Sequence, residues 1–85
     1  MQLPIINING TAASELLENY LLAKERLQDA LEAIRATHPN GREYQTLGPS
    51  EGPIALRRAM AEHSERLRTI DRLIDEMDTF AEHVA

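Results

Sequence analysis

Between Pro39 and Pro53 the chain reads Asn-Gly-Arg-Glu-Tyr-Gln-Thr-Leu-Gly-Pro-Ser-Glu-Gly, and this stretch gathers the residues best suited to holding a small ligand. Arg42 offers a planar fork of donors for a phosphate or carboxylate. Tyr44 offers a ring face for a base together with a hydroxyl, and Asn40 and Gln45 offer amides that read polar edges. Arg57 and Arg58 follow closely, and a helix beginning near Pro53 would aim unpaired backbone N–H groups at the same place. The chemistry implied is capture of an anionic, planar molecule such as a nucleotide, without its conversion. A structural alternative uses the same residues: Arg42 and Glu43 pair with neighbouring helices while Tyr44 and Leu47 plug the end of a helical bundle.

Other reactive constellations do not assemble. The chain has no cysteine, and its three histidines are isolated. Neither Glu62-His63 nor Glu82-His83 has the carboxylate-x-x-His spacing of di-iron helices or the HExxH spacing of zincins. No Ser-His-Asp or Cys-His set and no glycine-rich phosphate loop after a strand can be placed. No catalytic residue, metal ligand or cofactor is therefore assigned, and the expectation is a protein that is not an enzyme. A formal net charge of -5 argues against binding nucleic acid, which requires clustered Lys and Arg to displace counterions. Arg57, Arg58, Arg66, Arg68 and Arg72 are interleaved with Glu62, Glu65, Asp71, Asp75 and Glu76, so they read as a solvated face with pairs such as Glu62 to Arg66 and Arg72 to Glu76. No run approaches the ~20 apolar residues that span a bilayer, and a soluble cytoplasmic protein is expected.

The elements that must carry the loop are two long helices. From Leu56 the positions Leu56, Met60, His63, Leu67, Ile70, Ile74, Met77, Ala81 and Val84 recur at alternating spacings of four and three, a heptad seam that Leu73 and Phe80 widen. An earlier helix over 11–37 carries Leu16, Leu17, Tyr20, Ala23, Leu27, Ala30, Leu31 and Ile34 on one side, with Thr11 after Asn9-Gly10 as its cap. Pro39 and Asn40-Gly41 end it, and the second helix is expected over 53–84 with Pro53 in its first turn. The helices would be roughly 39 and 48 Å long. A connection over 38–52 exceeds the usual two to eight residues between antiparallel helices, which marks it as a functional segment. The chain is thus expected to be a single all-α domain, an antiparallel two-helix hairpin, with residues 1–10 as an extended strap laid on the core or paired as a strand with a symmetry mate.

Eighty-five residues without a disulfide or zinc framework bury a small core, so oligomerisation into a helical bundle is expected. Its interface would be the seam residues Leu56, Met60, His63, Leu67, Ile70, Ile74 and Met77, with His63 as a partly buried, hydrogen-bonded imidazole between subunits.

Ile6-Asn7-Ile8-Asn9-Gly10-Thr11, Asn40-Gly41-Arg42-Glu43-Tyr44 and Ala61-Glu62-His63 resemble the corresponding segments of small helical-hairpin proteins of bacteriophages and prophages, over nearly the whole length. The resemblance implies a viral protein working in the host cytoplasm, and by general analogy a counter-defence role. Two functions fit: a homo-oligomeric sponge sequestering a nucleotide immune messenger, or a protein-interaction module that inhibits a host protein or joins phage assembly.

Overall fold

In the computed structural model, which describes residues 1–5 and 10–85, the chain is an all-α hairpin with no strand among the described residues. Helix α1 spans Gly10–Arg35, a 3-10 helix spans Gly41–Leu47, and helix α2 spans Gly48–Val84. The hairpin is a single layer, 64 × 21 × 12 Å along its principal axes, with its shortest dimension about the diameter of one helix.

The register is antiparallel and set by three contacts. Tyr20 stacks on Phe80 with ring centroids 4.9 Å apart, Lys24 Nζ reaches Asp78 Oδ1 at 2.6 Å, and the His38 ring meets the His63 ring edge-on at 5.2 Å. In this register Leu31 stands level with Ile70. The seam forecast on α2 faces α1: His63, Ala81 and Val84 are buried, and Leu56, Leu67, Ile70, Ile74 and Met77 are half-buried. The heptad spacing therefore serves the hairpin first, because α1 carries a matching stripe through Tyr20, Leu27 and Ile34. Met60 departs from the pattern at 40% exposure, since α1 ends at Arg35 and does not reach its level.

The helix boundaries differ from expectation. Helix α1 begins at Gly10, so the cap expected at Thr11 lies inside its first turn, and Asn9 lies outside the described residues. Helix α2 begins at Gly48, not Pro53. Two prolines four residues apart each suit a first turn, and the chain uses Pro49 there; Pro53, one turn further in, forgoes the hydrogen bond to the Pro49 carbonyl. Helix α2 is consequently 37 residues long against 26 for α1. The segment that looked like excess loop is instead the 3-10 helix that packs on the overhanging first turns of α2.

The strap is described only through Ile5. The Pro4 carbonyl accepts from His83 Nε2 at 3.0 Å, tying the N-terminal segment to the last turn of α2. Ile5 is 94% exposed, and the strand alternative built on Ile6 to Ile8 lies outside the described residues.

Candidate functional site

The connection is built by its caps. Asn40 has extended backbone and opens the 3-10 helix with a capping box: its Oδ1 accepts from the Arg42 amide at 2.9 Å, and Glu43 Oε1 accepts from the Asn40 amide at 2.9 Å. Gly48 closes it with φ 88 and ψ 174, a backbone region open essentially to glycine alone. That turn folds the 3-10 helix back along α2. Gly52 is buried, and a Cβ there would stand 2.9 Å from the Tyr44 carbonyl oxygen. Only a bare α-carbon allows this approach of backbone to backbone.

Between the two helices lies an open groove of about 360 Å³ lined by Gly41, Tyr44, Gln45, Gly48, Pro49, Gly52, Pro53 and Leu56. No charged side chain is among these, and the walls are glycine, proline, a tyrosine ring and a leucine. Such a surface favours an apolar or aromatic group with few polar anchors.

Of the six residues expected to bind a ligand, the structure brings two to the groove. Tyr44 is half-buried and, with the exposed Gln45, forms part of its wall. Asn40 commits its side-chain oxygen to capping. Arg42, Arg57 and Arg58 are exposed, do not line the groove, and have no ion pair among the described residues. The anion pocket they were expected to form is not assembled within one chain. The physical reason is the earlier start of α2: with the helix beginning at Gly48, Arg57 and Arg58 sit in its third turn, well past the backbone donors at its start. The alternative reading fares unevenly too, because Tyr44 packs inward while Leu47 remains 48% exposed.

Sequence reasoning missed the glycines and prolines of the groove. A signal was present: Gly48-Pro49 and Gly52-Pro53 repeat at a spacing of four, which puts both pairs on one side of a helix. Leu56, assigned to the seam, helps to line the groove, its Cδ2 lying 3.8 Å from where a Cβ on Gly41 would stand.

His63 also differs from expectation. It is 3% exposed, and neither ring nitrogen has a hydrogen-bond partner among the described residues. It packs on His38 of its own chain, inside the hairpin rather than on its surface. On the solvated face Arg66 pairs with Glu62 at 3.6 Å and Arg68 with Glu65, whereas the Arg72 to Glu76 pair is not formed. No helix of the described residues is long and apolar enough to cross a membrane.

No protein-family model matches the chain, and neither the curated proteins nor the solved structures give a significant match.

Proposed function

We propose that this chain is a self-associating, non-catalytic binding protein that captures an apolar segment of a partner protein in the groove between the 3-10 helix and α2. The observation that carries the reading is how little a single copy buries. Among the described residues only Leu31, Ala81 and Val84 are buried hydrophobic side chains, while Leu21, Leu22, Ile54 and Met60 are between 40% and 53% exposed. A hairpin this thin gains stability by covering apolar surface with other chains. The groove supports the partner class: tyrosine, prolines and glycines without a charge suit an aliphatic or proline-bearing peptide more than a phosphate. A viral protein acting on a host protein is the setting that the phage resemblance suggests.

Nucleotide capture is the second reading, favoured by Tyr44 and Gln45 on the groove wall, a stacking face beside an amide. It would draw the phosphate-binding Arg42, Arg57 or Arg58 from the rim or from a neighbouring copy.

Native mass spectrometry of the full chain recovered from cells tests both readings. A homo-oligomer carrying a second polypeptide, lost in Tyr44→Ala at unchanged helicity, is the expected result. A retained nucleotide mass, lost in both Tyr44→Ala and Arg42→Ala, would turn the assignment to the sponge. A bare single copy that binds neither would overturn it.

A further inference from the structure

We infer that His38 and His63 form a binding site for a divalent transition-metal ion of the zinc, nickel or copper class, which pins the end of α1 to α2. His63 is the buried polar side chain among the described residues, and neither of its ring nitrogens has a hydrogen-bond partner there. A buried nitrogen without a partner is costly, and such an orphan in a folded protein points to a water or an ion at that place. Its own helix offers no acceptor or donor to spare. One turn to either side on α2 stand Ala59, Met60, Arg66 and Leu67, of which only Arg66 is polar, and it is already paired with Glu62.

The ring that meets His63 is a second imidazole. His38 lies edge-on to it with ring centroids 5.2 Å apart. Two imidazoles on one tetrahedral ion, each nitrogen about 2.0–2.1 Å from it and each centroid about 1.1 Å behind its nitrogen, have centroids roughly 5.2 Å apart. The pair therefore already stands at the separation that shared coordination needs. His38 is also oriented as a ligand. The Pro39 carbonyl can only accept, so His38 Nδ1, 2.8 Å away, donates to it and carries the ring proton. That fixes the tautomer and leaves the Nε2 lone pair free, the arrangement by which metal-binding histidines are held.

Access and charge agree with the site. His38 is exposed in the turn that ends α1, and Met60, one turn from His63, is 40% exposed because α1 does not reach its level. An ion thus reaches the pair from the solvent side and keeps waters in its remaining positions. The described residues place no third His, Cys, Asp or Glu there, which selects an ion that imidazole holds well; magnesium and calcium demand oxygen ligands. Arg35 and Arg66, three residues from the two histidines, are paired with Glu32 and Glu62 at 3.6 Å, so neither sets an uncompensated positive charge against the ion.

Calorimetric titration of Zn²⁺ into the chelator-treated full chain tests the site, with thermal unfolding followed by circular dichroism on the same samples. Four chains are compared: the wild type; His63→Leu; His38→Phe, which keeps a ring there without a ligating nitrogen; and His83→Ala, at the far end of α2, where His83 Nε2 meets the Pro4 carbonyl. The expected result is a single zinc ion per chain and a raised unfolding midpoint for the wild type and His83→Ala. Binding at least about tenfold weaker, with no rise in midpoint, is expected for the other two. Without metal, His63→Leu should unfold at a higher temperature than the wild type, and saturating zinc should narrow or reverse that order. Full zinc binding by His63→Leu or His38→Phe overturns the site, equal uptake by all four chains meaning an adventitious ion only. Absence of binding by the wild type at submillimolar zinc, or loss of binding in His83→Ala, overturns it equally. Should His38→Phe lose helicity, His63→Leu, which relieves a buried polar group, decides by the same comparison.

Discussion

The two ends of this hairpin are held together by different physics. From Tyr20 and Phe80 to His38 and His63, α1 and α2 meet through side chains in a heptad stripe; Leu31 within it and Ala81 and Val84 just past Phe80 are the buried hydrophobic side chains among the described residues. At the other end the 3-10 helix lies on α2 through backbone geometry: a capping box at Asn40, a glycine-only turn at Gly48, and a backbone approach at Gly52. No residue of the 3-10 helix is buried. The first end stores its stability in apolar area, which many aliphatic sequences could supply. The second depends on a few residues whose value lies in what they lack, a Cβ or an amide hydrogen. The open groove lies at the second end, between the 3-10 helix and α2.

The contrast can be broken at four points. Leu31→Ala removes the largest buried side chain of the seam and should cost about 3 kcal/mol at fixed protein concentration, read by urea unfolding; a loss below about 1 kcal/mol would mean that the seam is not where the stability resides. Gly48→Ala places a Cβ at φ 88 and should cost about 2 kcal/mol. Most of that loss should appear as faster amide exchange over Gly41–Leu47, with α1 unaffected. Asn40→Ala deletes the cap and should cost about 1 kcal/mol, again confined to the 3-10 helix; equal protection loss in α1 would show the two ends to be one cooperative unit. The smallest effect belongs to Lys24→Met, which removes a half-exposed ion pair between α1 and α2 and should change stability by no more than about 0.5 kcal/mol.

His63 sharpens the comparison from within the seam. Its ring is buried with both nitrogens unpaired among the described residues, a polar group at a position where the heptad asks for an apolar one. His63→Leu should stabilise the hairpin by about 1 kcal/mol, visible as a higher unfolding midpoint. Destabilisation would show that the edge-on packing against His38 outweighs the unpaired nitrogens.

Much of this was legible in the residues alone, and the reasons differ by place. The two helices and their antiparallel pairing follow from apolar recurrence at three and four, because that periodicity leaves one stripe per helix with a marked break between them. The start of α2 was not legible: Pro49 and Pro53 satisfy the same local rule, and only the packing of the 3-10 helix on Gly52 discriminates them. The candidate site suffered for the same reason. Asn40, Arg42, Tyr44 and Gln45 are neighbours in sequence, but positions three apart share a side of a 3-10 helix, so Tyr44 reaches the groove together with Gly41, whereas Asn40 is spent on the cap and Arg42 is not part of the lining.

The residues by themselves determined two amphipathic helices of an all-α hairpin, since composition and periodicity are local properties that survive any folding. How far α1 reaches along α2, which leaves Met60 uncovered, and that glycines and prolines rather than arginines line the groove were decided only by tertiary structure. Those outcomes depend on the relative lengths of the two helices and on a backbone contact at Gly52, quantities that no single segment of the chain contains.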